Sequence, residues 1–216
     1  MFCRLVVRSA FIALALGLGS AASAGVIWNE SVNGDLSNDG LSPTFVGTLT
    51  PGSNQVIGLT GRPGPAPATP PERDYFFVTV PLGLNLAAIT LLPGQNMGGL
   101  GFIGLQAGSQ ITLPTNAATA VGLLGWWHYA PADVGHDILA SMSALAMTPG
   151  GMGATGFTAP LGPGNYAFWV QDTSTPPVPS IPFNFGFDLV VVPEPGTIAM
   201  MLLGLGGLGF SRRKRA

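Results

Sequence analysis

Short runs of alternating apolar and polar residues, or of clustered β-branched and aromatic residues, recur between Gly25 and Val192. Such runs are typical of β-strands when Gly, Pro and Ser turns bound them. They predict strands at Phe45–Thr50, Gln55–Leu59, Tyr75–Val80, Leu86–Leu91, Phe102–Gln106, Gln110–Leu113, Asn165–Asp172 and Phe183–Val192. Because most of these strands follow one another without helices between them, the pattern predicts an all-β fold, an antiparallel β-sandwich or jelly roll of about eight strands.

One helix and three loops complete this body. The helix is predicted at His136–Met147, which is rich in Ala, Leu and Met, with Asp133 before it as a cap. Gly61–Pro71 is too rich in proline for the interior of a strand. Met147–Ala159 is rich in glycine, and Thr173–Pro182 is rich in proline, so both are predicted as loops.

Composition narrows the class of protein. Hydrophobic residues make up 47% of the chain, which is too apolar for a disordered protein, and charged residues only 8%. Nine of the ten acidic residues lie between 25 and 192, against two basic residues and no lysine. We therefore expect no nucleic-acid partner, because such binding depends on Lys and Arg at the phosphates. Cys3 is the single cysteine, so disulfides within the body are excluded.

The N-terminus has the three parts of a secretory signal peptide. Arg4 and Arg8 make the first part positively charged, and an apolar run follows. Ala22 and Ala24 are the small residues of an A-x-A cleavage site. We expect an N-terminal signal helix over residues 1–24, which signal peptidase removes after Ala24.

The C-terminus carries a Pro-Glu-Pro motif, a short apolar segment and a basic end. The motif residues are Pro193, Glu194 and Pro195, and the apolar segment is Thr197–Phe210. The basic tail consists of Arg212, Arg213, Lys214 and Arg215. This order resembles the PEP-CTERM family of sorting signals, which implies recognition by an exosortase near the Pro-Glu-Pro motif. The predicted domains are therefore a signal peptide at 1–24, a β-sandwich at 25–192 and a sorting signal at 193–216. The sorting signal consists of the motif at 193–196, the apolar helix at 197–210 and the basic tail at 211–216.

The apolar segment predicts a helix, but a short one. It spans 14 residues, whereas a membrane-spanning helix needs about 20. With the basic tail on the cytoplasmic side, the body would lie outside while this C-terminal helix holds the protein transiently in the membrane. The resemblance implies an exported protein of the cell envelope, the cell surface or an exopolysaccharide matrix.

Part of the body resembles a second family. The runs Asp35–Ser37, Pro51–Gly58 and Arg73–Gly83, within residues 28–112, are similar to the bacterial pre-peptidase C-terminal domain. That resemblance implies a secreted, non-catalytic β-sandwich. Glu72-Arg73-Asp74 stands where the family often has two aspartates.

Glu30–Gly40 is the densest polar segment and raises the question of a cation. Asp35, Ser37 and Asp39 match the first half of an EF-hand loop, but Val46 stands at its twelfth position, which excludes an EF-hand. Turn chemistry is the simpler interpretation. A calcium site made by Asp35, Asp39 and Asp74 is the alternative, and no other cofactor is predicted.

Trp126-Trp127-His128-Tyr129 is the other conspicuous cluster. His128 and His136 lie eight residues apart, which is not the spacing of paired zinc ligands on a helix. Packing in the core is the simpler interpretation, and a platform of Trp126, Trp127 and Tyr129 that stacks on sugar rings is the alternative.

No nucleophile elbow, zinc-protease motif or phosphate-binding lysine occurs in the body. We therefore predict a non-enzymatic exported protein with a structural or interaction role. Two alternatives stay open: a carbohydrate-binding module, and a hydrolase with a pair of acidic residues.

Overall fold

Two β-sheets enclose one hydrophobic core in the computed structural model, which describes residues 25–61, 72–93, 100–173 and 183–196. In these ranges the strands are β1 (Gly25–Asn29), β2 (Thr44–Thr48), β3 (Gly52–Thr60), β4 (Arg73–Val80), β5 (Leu84–Leu91), β6 (Gly101–Ala107), β7 (Gly125–Tyr129), β8 (Gly164–Asp172) and β9 (Phe183–Pro193). The helices are α1 (Glu30–Asn33) and α2 (Ile138–Ala146), with 3₁₀ turns at Pro131–Asp133 and Pro149–Gly151.

The strand order is β1-β3-β9-β5 in the four-stranded sheet and β2-β4-β8-β6-β7 in the five-stranded sheet. The predicted all-β sandwich is thus confirmed. It includes two parallel pairs, β1 with β3 and β2 with β4, that an antiparallel sandwich lacks. The chain crosses from one sheet to the other between successive strands from β1 to β6. Because each crossing reverses its direction, strands two apart in the sequence run the same way.

Seven of the eight predicted strands occur, with shifted ends, in the described residues. The prediction of a strand at Gln110–Leu113 is wrong, because this segment makes isolated bonds such as the one from the Ile111 amide to the Gly40 carbonyl. The prediction also missed β1 and β7. Strand β7 contains the Trp-Trp-His-Tyr cluster, which pairs with β6.

Alternation along the strands divides the apolar residues between two faces. On β4, Phe76 and Val78 enter the main core between the sheets, where Phe76 stacks on Phe168 with ring centroids 4.8 Å apart. Tyr75 points to the outer face, where it joins a smaller apolar cluster with Ile111. The five-stranded sheet is therefore apolar on both faces, and its outer face is partly covered by the segment 108–124.

Helix α2 confirms the predicted helix but begins later. Its N-cap is Asp137, whose side chain accepts a hydrogen bond from the Leu139 amide at 2.9 Å. The prediction of Asp133 as the cap of this helix is wrong, because Gly135 at φ 78° turns the chain between them. Asp133 instead accepts from the Ala130 amide at 2.8 Å and closes the 3₁₀ turn.

The predicted signal helix at 1–24, the apolar helix at 197–210 and the basic tail lie outside the described residues. In the part of the chain that is described, no helix has the length and apolar character needed to cross a membrane.

Candidate functional site

Three carboxylates from separate parts of the chain meet at the start of β4. Glu30 begins α1, Asp35 lies in the loop that leads to β2, and Asp74 is the second residue of β4. One oxygen from each lies within 4.8 Å of the other two. We call these residues the acidic cluster. Alternation along β4 places Asp74 on the same face as Phe76, so its carboxylate lies between the sheets.

Asp74 is the central residue of the acidic cluster. It is 0% exposed, and neither carboxylate oxygen has a hydrogen-bond partner. Burial, followed by the negative charges of Glu30, Glu72 and Asp35, raises the pKa of Asp74 to about 9. The neighbouring Arg73 does not neutralise it, because the Arg73 Nε donates to Gln171 Oε1 at 3.2 Å on the other face of the strand.

Glu30 is held firmly in its position. Its Oε1 accepts the Leu36 amide at 3.2 Å, and its Oε2 accepts the Leu59 amide at 2.6 Å. Gly58 leaves room for this arrangement, since a Cβ there would lie 2.8 Å from Glu30 Oε2. Burial raises the pKa of Glu30 although the two amide donors lower it.

The acidic cluster differs from the predicted calcium ligands in one residue. The structure brings Asp35 and Asp74 together as predicted. The inclusion of Asp39 is wrong, because its Oδ1 accepts the Leu41 amide at 2.9 Å within a local turn. The prediction missed Glu30, although this residue begins the dense polar segment that contains Asp35.

A groove lined by aromatic rings lies on the outer face of the five-stranded sheet. Phe102, Trp126, His128 and Trp169 form its floor, and the segment 113–120, most of which is exposed, contributes to one wall. We call it the aromatic groove; it encloses about 240 Å³. The Phe102 ring lies 6.1 Å from that of Trp126 and 5.1 Å from that of Trp169, and the Trp126 and His128 rings are 5.2 Å apart.

Polar atoms around the aromatic groove have partners. The Trp126 Nε1 donates to the Gly151 carbonyl at 3.2 Å, and the Trp169 Nε1 donates to Gln171 Oε1 at 3.1 Å. His128 Nδ1 lies 3.2 Å from Thr173 Oγ1. Burial lowers the pKa of His128, which favours the neutral imidazole. No carboxylate, lysine or arginine is among the described residues that line this groove.

The three residues of the predicted sugar platform lie on two different faces of β7. Trp126 faces the aromatic groove, whereas Trp127 and Tyr129 face the main core. Tyr129 is 1% exposed, and the Trp127 Nε1 donates to Asp133 Oδ1 at 3.4 Å. A joint platform of Trp126, Trp127 and Tyr129 is therefore wrong, because adjacent residues of a strand point to opposite faces.

The chain leaves the sandwich at the end of β9. Pro193 pairs with Leu84 of β5, and the Glu194 amide donates to the Gly83 carbonyl at 2.8 Å. Pro195 and Gly196 are exposed. The family model of the PEP-CTERM protein-sorting motif matches residues 191–215. The C-terminal segment is a PEP-CTERM sorting motif.

The PEP-CTERM motif confirms the predicted family of the tail. It implies a protein that an exosortase sorts to the cell surface, as the sequence predicted. The motif begins within the last paired residues of β9, so the sorting signal directly adjoins the folded body.

No curated protein and no solved structure matches the chain. The resemblance of residues 28–112 to the pre-peptidase C-terminal domain therefore stays a prediction, as do signal peptidase, an exopolysaccharide and the membrane as partners.

Proposed function

We propose that this PEP-CTERM protein is a non-enzymatic interaction protein of the cell surface or the exopolysaccharide matrix, and that it binds a neutral glycan in the aromatic groove. The observation that carries the proposal is the partly exposed Trp126 in a groove whose described lining has no charged side chain. Ring faces suit the apolar C–H faces of sugars, and a few polar groups suffice to orient a ligand.

The polar residues of the groove fit the same ligand class. Gln171 and Thr173 line it together with exposed threonines at 115 and 119. Amides and hydroxyls match the hydroxyls of a sugar, whereas an acidic sugar would need Arg or Lys to balance its charge. The volume of about 240 Å³ is below the roughly 300–1,000 Å³ of pockets for drug-sized ligands. The groove therefore suits one or two sugar units of a longer glycan.

The positions of the carboxylates give no support to a hydrolase. A glycosidase needs two carboxyl groups that flank one bond. Asp74 is fully buried, and Glu30 lines a separate cavity of about 320 Å³ beside Leu59 and Asn184 in which no second carboxylate appears among the described lining residues. Each Glu30 oxygen also accepts a backbone amide, which fixes the carboxylate in place.

A glycan array tests the proposal on the exported protein purified from producing cells. We expect binding to neutral glycans that falls about fivefold or more in Trp126→Ala, since a stacked aromatic ring is often worth about 1 kcal/mol or more. Phe45→Ala is the matched control. Phe45 is 50% exposed and stacks beside Phe77 on the same outer face, away from the groove.

Two results would count against the glycan. One is an array without any bound neutral glycan, and the other is equal loss of binding in Phe45→Ala and Trp126→Ala.

A further inference from the structure

The buried carboxylate of Asp74 has no hydrogen-bond partner. Among the described residues, only Asp74 and Trp28 have buried side-chain polar atoms without a hydrogen bond. The buried Asn54 shows the usual condition, since its amide donates to the carbonyls of Thr50, Gly52 and Leu189. A buried carboxylate without partners costs several kcal/mol, and here two further carboxylates lie against it.

Three kinds of partner can offset the charge of such a group: a basic side chain, a proton or a metal ion. Arg73 is the sole arginine or lysine in the described ranges, and it bonds to Gln171 on the other face. A proton removes the charge but leaves both Asp74 oxygens without a hydrogen-bond partner. A cation satisfies both oxygens and also offsets the charges of Glu30 and Asp35.

We propose that Glu30, Asp35 and Asp74 bind a calcium ion between the two sheets. Oxygens that share a calcium ion lie about 2.3–2.6 Å from it, and so at most roughly 5 Å from one another. The 4.8 Å limit of the acidic cluster meets this condition. Three carboxylates offer up to six oxygens, and water can supply the rest of the roughly 6–8 ligands that calcium takes.

The ion would join three separate parts of the fold. Glu30 follows β1, the edge strand of the four-stranded sheet, and its Oε2 is tied to the Leu59 amide of β3. Asp74 belongs to β4 of the five-stranded sheet, and Asp35 lies in the segment that crosses between the sheets. Bound calcium would therefore fix the N-terminal crossing and stabilise the sandwich by an amount that grows with the logarithm of its concentration above the Kd.

The destination of the protein fits a weak site. Calcium sites in extracellular modules have Kd values of about 10⁻⁴–10⁻³ M. A protein sorted to the cell surface meets the calcium of its surroundings, so an affinity in this range would suffice. The acidic cluster lies between the sheets and the aromatic groove on the outer face, so the proposal is independent of glycan binding.

The test uses the exported protein, stripped of metal with a chelator and titrated with Ca²⁺ and, separately, Mg²⁺. We expect calorimetric binding of one Ca²⁺ and a Tm that rises with Ca²⁺ up to about 10 mM, roughly tenfold above the weakest expected Kd. Asp74→Asn and Asp35→Asn should weaken Ca²⁺ binding at least about tenfold, because affinity follows ligand charge. Asp39→Asn, in the same loop, should bind as the wild type does.

Several outcomes would overturn the calcium site. One is a Tm and a calorimetric signal that do not change when Ca²⁺ is added. Another is a Ca²⁺ affinity equal to that of the wild type in both Asp74→Asn and Asp35→Asn. A third is tighter binding of Mg²⁺ than of Ca²⁺. If Asp74→Asn does not fold, Asp35→Asn decides alone, because Asp35 is exposed. Trp126→Ala should keep the full response to Ca²⁺. The calcium proposal can therefore be tested whether or not the glycan proposal fails.

Discussion

The acidic cluster and the aromatic groove lie on opposite faces of the same five-stranded sheet and are built in opposite ways. In the cluster, a fully buried carboxylate has no partner, and its neighbours repel it. In the groove, partly exposed rings contact one another, and the indole N–H groups of Trp126 and Trp169 are hydrogen-bonded. The indole N–H groups of the groove are thus satisfied without a ligand, whereas the Asp74 oxygens of the cluster are not. A ligand in the groove should change recognition, and one in the cluster should change stability.

The first prediction disturbs the cluster without removing a carboxylate. A Cβ in Gly58→Ala would lie 2.5 Å from Phe185 Cζ and 2.8 Å from the Glu30 carboxylate. Because overpacking of this kind costs about 1–3 kcal/mol, we expect the free energy of unfolding to fall by that amount. Because the added methyl group also displaces Glu30, we expect a weaker response to Ca²⁺. Urea unfolding with and without Ca²⁺ measures both.

Gly162→Ala is the matched control, since the nearest atom to a Cβ there is Asn85 Oδ1 at 3.9 Å. It should change stability little and keep the Ca²⁺ response. A Gly58→Ala protein as stable and as responsive as Gly162→Ala would contradict the description of Glu30 as a tightly held ligand.

The second prediction concerns Asp74 when no metal is bound. In chelator, Asp74→Asn should be more stable than the wild type by about 1–2 kcal/mol, because burial at neutral pH obliges Asp74 to take up a proton, whereas Asn is already neutral. Asp188→Asn should have the opposite sign. The Asp188 Oδ1 accepts from Ser53 Oγ at 2.6 Å and from the Asn54 amide at 3.1 Å, and these charge-assisted bonds would weaken.

Chemical unfolding of the two variants at neutral pH measures this contrast. Equal destabilisation by both substitutions would mean that Asp74 has a stabilising partner of its own, and the proposed need for a cation would lose its basis.

Local patterns predicted most of the sandwich because its central strands alternate or are rich in β-branched and aromatic residues. β4 and β9 are examples, and both lie near the middle of their sheets. Strand β7 lacks such a pattern because its Trp-Trp-His-Tyr sequence does not alternate between apolar and polar residues, although Trp126 and Trp127 point to opposite faces as strand residues do. Strand β1 was missed because its parallel pairing with β3 depends on a crossing between sheets that no local pattern records.

The site was predictable to a similar extent. Asp35 and Asp74 were named together as calcium ligands, and they meet in the structure. Asp39 was included because of its spacing in a loop motif, but local turn bonds hold it elsewhere. Glu30 reaches the cluster through α1 and the Leu59 amide of β3, contacts that join residues far apart in the sequence. Spacing within one segment cannot predict a ligand set that two sheets assemble.

The last and smallest expected effect concerns the aromatic groove and is a pH dependence. Burial lowers the pKa of His128 in the folded protein below its value in the unfolded chain. The unfolded chain therefore takes up a proton first as pH falls, and stability decreases below the ordinary histidine pKa of about 6.5.

Between about pH 8 and about pH 5.5, on either side of that pKa, the wild type should lose more stability than His128→Gln does. His136→Gln is the matched control, because it makes the same substitution at an exposed residue that does not line the groove. Thermal unfolding at the two pH values measures the difference, and the carboxylates of the acidic cluster contribute alike to all three proteins. A loss in His128→Gln that equals that of the wild type would mean that the groove accepts a charged imidazole.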